Sequence, residues 1–390
     1  MKGSNQTTLR DTNQRLVLHL IRRHGAATKA ELTRDTGLSP NAVSVIVKAL
    51  EQDGLLLRGE AMRGRIGQPS TPLRLNPDAR FHIGLKIGRR GFDMVVVDFC
   101  GGLRAHCTQA HDYPTPQRAS AFVSDNLDAL LHQAGVSRDA IAASGIAMPS
   151  QLWHWSGDFG ALQDDMTIWR DHDIAATLAG VLPGPIRVEN DATAACFAEW
   201  VFGAQRIRRD GVYFFIGTFI GGGIILNGGV FRGCRGNAGA FGALRISDEP
   251  GGTRLLDHAS LSVLHRMLAR KGLHPPAGQV ADQFAAHDWT GFEPVLSDWI
   301  LRSARSLANA VVSASAVIDF EEVILDGALP PEVRSRMARL LQARLDQQDL
   351  GGIPHPRVAQ GSFGPLARAI GAAAIHINAR YMLEREPHGV

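Results

Sequence analysis

The hydrophobic period of this chain changes at Gly54, and that change requires a small helical head ahead of a body of another class. From Asp11 to Gly54 the apolar residues keep helical spacing. Leu16, Val17, Leu20 and Ile21 form one stripe, which stops near His24-Gly25 where glycine supplies a C-terminal cap. Thr28, with Glu31 three residues on, predicts a capping box opening a short helix that ends at Thr36-Gly37. Ser39-Pro40 predicts the next start, an N-cap followed by proline at the first helical position. In that helix Val43, Ile46, Val47 and Leu50 face inward and Asn41, Ser44, Val45 and Lys48 face outward.

Two short helices joined by a glycine-containing turn, the second small and polar on its outer face, describe a helix-turn-helix. Reading a major groove needs side chains near the helix start that donate and accept at base edges, which Asn41 and Ser44 can do. Ser39, Val45 and Lys48 complete the candidate DNA-binding face. Beyond Gly54, Leu55-Leu56-Leu57-Arg58 and Pro72-Leu73-Arg74-Leu75 read as two strands around a glycine-rich tip bearing Arg63, Arg65 and Gln68. This is a wing whose cations suit phosphate or the minor groove. The alternative is a three-helix-plus-hairpin module used for protein contacts. Residues 1–80 carry 13 Lys and Arg against 7 Asp and Glu, whereas the remainder carries 28 against 31. A basic head on a mildly acidic body fits a nucleic-acid module fused to something else.

With 390 residues the chain exceeds what one ordinary core organises. Past Asn76-Pro77 it alternates β-rich runs (81–87, 92–99, 142–149, 184–190, 211–220, 222–231 and 321–329) with helical patterns near 117–134, 191–202, 253–271, 293–316, 331–347 and 364–383. Such alternation predicts an α/β body, and no self-similarity at a short fixed period suggests a solenoid. The four cysteines are scattered without C-x-x-C spacing, which argues against a disulfide framework or a cysteine zinc site. The N-terminal MKGSNQTTLRDTNQ lacks the apolar core of a signal peptide, and no apolar run reaches a membrane span. Together these point to the cytoplasm.

Val188-Glu189-Asn190-Asp191-Ala192, Glu199, the run Gly217-Thr218-Phe219-Ile220-Gly221-Gly222-Gly223 and Arg232-Gly233-Cys234-Arg235-Gly236-Asn237-Ala238-Gly239 resemble the ROK family of repressors, open reading frames and kinases. Gly67-Gln68-Pro69-Ser70-Thr71-Pro72 ahead of them looks like the head of the ROK repressors. The resemblance covers nearly the whole chain. It implies a winged helix-turn-helix over 1–78, then a two-lobed actin/hexokinase-like (ribonuclease-H-like) α/β body. Its first lobe is expected over 79–188, completed by a C-terminal helix at about 364–390, and its second over 189–363.

In kinases of this fold the first body strand turns through an Asp-x-Gly-Gly-Thr phosphate loop. Here Lys86 stands at the acid, and Arg89 and Arg90 replace the small residues. Backbone N–H groups must approach phosphates closely there, so two arginines attract phosphate but fill the cradle. In the second phosphate turn Phe219 replaces a glycine. Asn190 and Asp191 match the pair that holds a sugar hydroxyl and supplies the general base. Capping of the helix 192–202 is their other reading, and the two roles are compatible. The family's Gly-Glu-x-Gly-His reads Gly239-Ala240-Phe241-Gly242-Ala243, a later sugar-binding Glu corresponds to Leu256, and the zinc-binding cysteine cluster corresponds to the cysteine-free Ser247–Leu256. Neither metal nor cofactor is therefore expected.

The strand over 142–149 runs into Gln151, Trp153 and Trp155, with Trp169 beyond. Aromatic rings stack on sugar faces, and Gln151, Asn190, Asp191 and Asn237 can pair with hydroxyls. Packing between loop and core is the competing role for the tryptophans. The sequence thus predicts a sugar-responsive DNA-binding regulator, a repressor with a non-catalytic kinase-like body. Its expected partners are a double-stranded operator and a sugar, polyol or sugar-phosphate effector, and the resemblance implies a homodimer or homotetramer. A ROK-type sugar kinase with an unusual nucleotide loop and a DNA-binding protein with a vestigial cleft stay open as alternatives.

Overall fold

The structure, a computed structural model, describes residues 6–60, 71–153, 166–204, 210–246, 253–273, 288–348, 351–352 and 354–383. Arg63, Arg65 and Gln68 of the expected wing tip, and Trp155, lie outside the described residues.

The head opens with α1 (Gln6–His24), α2 (Lys29–Thr36) and α3 (Pro40–Gln52). The Thr28 backbone N–H donates to Glu31 Oε2 at 2.8 Å, and the Glu31 N–H donates back to Thr28 Oγ1 at 3.3 Å, closing the expected capping box. Gly37, at φ 68°, ends α2 in the left-handed region that favours glycine. Strands β1 (Leu56–Arg58) and β2 (Leu73–Leu75) pair antiparallel, and Ala27 adds a bridge to Leu73. Val17, Ile21, Leu32, Val43, Ile46, Val47 and Leu50 are buried in the core these elements share.

The body starts with β3 (Phe81–Ile87), β4 (Gly91–Val97), β5 (Leu103–Ala110), α4 (Pro116–Ala134), β6 (Ile141–Met148), α5 (Ile174–Leu178) and β7 (Ile186–Asn190). These strands form one sheet in the order β5-β4-β3-β6-β7, antiparallel among the first three and parallel beyond. After α6 (Asp191–Phe202) come β8 (Gly211–Ile216), β9 (Ile220–Leu226), β10 (Gly229–Phe231), α7 (Leu256–Ala259), α8 (Leu261–Ala269), α9 (Val295–Ile318), β11 (Glu322–Gly327), α10 (Pro331–Leu345), β12 (Arg357–Gln360) and α11 (Ala367–Tyr381). Their sheet runs β10-β9-β8-β11-β12. Both sheets therefore place their strands third-second-first-fourth-fifth, a duplication of topology that no short sequence period reveals.

Between the sheets, α11 lies on β3 and β6, α6 lies on β9, and the two helices pack on each other. Glycine makes this closeness possible. A Cβ at Gly84 would stand 1.9 Å from the Ala369 carbonyl oxygen, and one at Gly371 would stand 1.7 Å from that of Ala194. Three expectations change in detail. Strands β5 and β12 were not foreseen, and both are sheet edges with polar, half-exposed sequences. The runs 211–220 and 222–231 form three strands, β8 to β10. The helix expected over 253–271 breaks at Ser260, whose backbone is extended and whose hydroxyl donates to the Leu256 carbonyl at 2.8 Å. Among the described residues no helix is long and apolar enough to cross a membrane.

Candidate functional site

Ser39 caps α3, its Oγ accepting from the Ala42 N–H at 3.2 Å. Asn41, Val45 and Lys48 are exposed at i, i+4 and i+7, one ridge on the side of α3 opposite Val43, Ile46, Val47 and Leu50. Val45, an apolar residue 55% exposed, belongs to that ridge, whereas Ser44 is half-buried at its margin. Arg58 of β1 pairs with Glu51 at 2.5 Å and 3.0 Å and thereby ties the wing's first strand to the end of α3. The Arg58 hydrogen bond holds the Glu51 carboxyl below its usual range.

A cavity of about 340 Å³ lies between the two body sheets and takes walls from both lobes. Gln151, Asn190, Asp191 and Asn237 line it together, although they come from three separate stretches of chain. Asn190 N-caps α6 through Oδ1, which accepts from Ala192 and Thr193 N–H at 3.1 and 3.2 Å, while its Nδ2 donates to Ser150 Oγ at 2.8 Å. The capping role is thus present at the mouth of the cavity. Asp191 accepts the Ala192 N–H at 2.9 Å and a 3.4 Å contact from Arg368 of α11. The Arg368 guanidinium also lies 4.6 Å from the Phe215 ring centroid.

At the phosphate-loop position, β3 and β4 join through the tight turn Gly88–Gly91, closed by the Gly88 N–H donating to the Gly91 carbonyl at 3.0 Å. Lys86 and Asp93 face each other in register across it, Nζ to Oδ2 2.5 Å, with side chains 2% and 1% exposed. Thr108 Oγ1 of β5 donates to the other Asp93 oxygen at 2.7 Å. Where a kinase is expected to place an acid for a magnesium nucleotide, this chain carries a buried cation already matched by its own carboxylate. Arg89 and Arg90 occupy the two central turn positions and both line the cavity. The Arg89 guanidinium lies 4.8 Å from the Phe219 ring centroid, so one departing residue from each of the two phosphate turns meets the other across the cleft.

Trp153 does not line the cavity. It packs half-buried against the first-lobe apolar cluster with Leu152 and Trp169, and Trp169 is buried with Nε1 donating to the Pro114 carbonyl at 3.0 Å. Both tryptophans pack against this cluster. Sequence reasoning missed Asp93, Thr108, Arg254 and Arg368. The first had a legible signal, because Lys86 and Asp93 each lie two residues outside the turn glycines and must pair in a two-residue hairpin. Arg368 had none, being far along the chain from Asp191. Leu256 lines the cavity at the expected sugar-acid position, beside the Arg254–Asp257 pair at 3.0 Å. Among the described residues no group of three or more His, Cys, Asp or Glu side chains could hold a metal ion.

A winged helix-turn-helix joined to two duplicated mixed sheets around an interlobe cleft defines a DNA-binding head on an actin/hexokinase-like body. The ROK family model matches residues 82–379 and a winged helix-turn-helix DNA-binding model matches residues 10–56, so the chain belongs to the ROK family. It is 24% identical over 370 residues to protein y4fQ of Sinorhizobium fredii, covering 93% of this chain and 90% of that one. It is 25% identical over 246 residues to the xylose repressor of Bacillus subtilis, where the match spans 63% of each chain, under two thirds of that relative. A ROK family transcriptional regulator described as a homologue of the E. coli MLC protein shares the fold, with TM-score 0.67, 18% identity and coverage of 96% and 97% of the two chains.

Proposed function

We propose that this chain is a sugar-responsive DNA-binding transcription regulator, a repressor whose kinase-like cleft binds its effector without phosphorylating it. The observation that carries the reading is that two helices begin in the cleft and end against the DNA-binding head. At its start α6 presents Asp191 to the cavity, and near its end Trp200 lies 6.3 Å from the His19 ring of α1. Helix α11 presents Arg368 to the same cavity, and its Tyr381 meets the Phe99 ring edge-on at 4.9 Å. Arg22 of α1 joins both, donating to the Phe99 carbonyl at 2.8 Å and lying over the Phe99 and Phe202 rings at 5.1 and 5.5 Å. Burial pulls its pKa down to about 10.

A ligand that favours one closure angle of the lobes does so through its differential contacts in the two states. Asp191 and Arg368 both line the cavity, and each sits at the cleft end of one of the two helices. A rigid helix of about 1.5 Å per residue carries that displacement some 18 Å to α1. In a homodimer or homotetramer, moving the heads changes their fit to paired half-sites on a double-stranded operator. The loss of phosphoryl transfer in this reading rests on the Lys86–Asp93 pair and on Arg89 and Phe219 standing in the phosphate turns. Its working compartment is the cytoplasm, where the DNA is.

The test is a gel-shift titration on DNA upstream of the protein's own gene, at fixed salt, against a panel of sugars, polyols and sugar phosphates. Specific binding that one compound shifts is expected, together with a D191A variant that binds the same DNA with unchanged affinity and ignores that compound. A D191A protein that responds normally takes the effector out of this cleft.

A further inference from the structure

Helix α3 carries one side chain that neither the core of the head nor its polar surface explains. Val45 is 55% exposed, whereas Val43, Ile46, Val47 and Leu50 of the same helix are buried in the head. A β-branched residue at an exposed helix position loses rotamer freedom and gains no burial in return. Single exposed apolar residues are ordinary on protein surfaces, but the place of this one is unusual. Val45 stands on the ridge between exposed Asn41 and Lys48, one turn of helix from each. Its other neighbours on the helix, Ala42, Ser44 and Ala49, are short and half-buried, so the two valine methyl groups stand proud of the ridge. The ridge begins at the capped end of α3, where Ser39 Oγ accepts the Ala42 N–H at 3.2 Å and holds the backbone in place before any DNA arrives.

We propose that Val45 reads the 5-methyl group of a thymine in the major groove of the operator, beside an adenine read by Asn41. This rests on the reading of α3 as the helix that enters the groove. A side-chain amide matches the acceptor and the donor that adenine presents there, whereas an isopropyl group matches neither and suits the thymine methyl, the apolar group of that groove. The helix also sets the spacing. Four residues at about 1.5 Å each place Val45 about 6 Å beyond Asn41, and successive base pairs are about 3.4 Å apart. The thymine therefore lies within about two base pairs of the adenine, on either strand. Lys48, about 4.5 Å further along α3, extends toward a flanking phosphate. One ridge thus carries, in chain order, a hydrogen-bonding reader, a methyl reader and a phosphate anchor.

The experiment selects operator sites from random duplex DNA with the full chain, then replaces each thymine of the selected site singly by deoxyuridine. Uracil keeps every hydrogen-bonding group of thymine and lacks only the methyl. Gel shift at fixed salt reads the affinity. One thymine in each half-site is expected to cost about fourfold on replacement, the equivalent of one buried methyl group. With V45A the same replacement is expected to change affinity by less than about twofold, the scatter of independent sites. N41A is expected to keep the fourfold loss and to lose its preference for the neighbouring adenine. V45A is expected to melt with the natural protein, because alanine favours helix and Val45 fills no core. Should V45A not fold, V45S replaces it with the same expectation. If no thymine responds, if V45A keeps the fourfold loss, or if the responding thymine lies more than about two base pairs from the adenine that N41A ignores, the proposal fails. V45A that changes the oligomeric state and binds the selected DNA as before also overturns it, by placing Val45 in a subunit contact. Failure to select any sequence removes α3 as a sequence reader and this inference with it, so the two failures are told apart.

Discussion

Lys86→Met isolates the consequence of having exchanged an acid for a base at the first phosphate turn. Methionine keeps the length and most of the volume of the lysine chain and removes only the ammonium. The Asp93 carboxylate, 1% exposed, would then keep the Thr108 hydroxyl as a donor and lose the Nζ contact at 2.5 Å. Breaking a buried pair by removing one partner costs about 3–5 kcal/mol, because the other charge stays behind in a poor solvent for it. Removing both charges costs far less, so K86M/D93N is expected to recover most of that loss. The double-mutant cycle should then report a coupling of about 2 kcal/mol or more. Chemical denaturation at neutral pH reads all four proteins, with the midpoint falling at unchanged slope for K86M. A K86M protein within about 0.5 kcal/mol of the natural one would refute the reasoning, since a change that small belongs to ordinary surface sites. The same geometry predicts that K86D, which restores a kinase-like acid, is worse than K86M. Two carboxylates would then face each other across the β3–β4 register, so a kinase site is not recovered by that single reversion.

In the head, Lys48→Ala is expected to weaken binding to all DNA sequences alike and to reduce the slope of log affinity against log salt by about 1, as the loss of one phosphate contact requires; an unchanged slope removes Lys48 from the interface. Thr28→Ala opens the capping box of α2 and should cost about 1 kcal/mol, read as a lower thermal midpoint of the head. His82, 2% exposed in β3, has its pKa pushed down to about 3, chiefly by burial. Its folded pKa lies below its unfolded value, so its contribution is complete above about pH 6.5 and is lost as pH falls toward 3. Roughly 2 kcal/mol should disappear between pH 8 and pH 5, and His82→Asn should flatten that acid limb. Stability of that variant falling just as steeply with acid would place the titration elsewhere.

The head was legible because its signals are local. A capping box, an N-cap followed by proline and a glycine at positive φ each involve residues within one turn of chain, and α2 and α3 start and stop where those residues say. The hydrophobic strands at the centre of both sheets, β3, β4, β6, β8 and β11, announce themselves because they are buried on both faces. The departures at Lys86, Arg89, Arg90 and Phe219 were also visible, since family motifs are short and contiguous.

Tertiary structure alone decided the rest. β5 and β12 bury too little side chain to be marked by hydrophobicity; they are strands because a neighbouring strand offers them a ladder at the sheet edge. The duplicated strand order is a fact of topology, which unrelated side chains can satisfy twice. Asp191 meets Arg368, and Arg22 meets Phe99, only when elements far apart in the chain pack together. Trp153 packs half-buried against the apolar cluster that includes Leu152 and Trp169, a contact its own sequence does not reveal. Residues and caps determined what each segment of this protein is. Which side chains share the cleft, and how that cleft touches the head, was decided by contacts between distant segments, which no local pattern encodes.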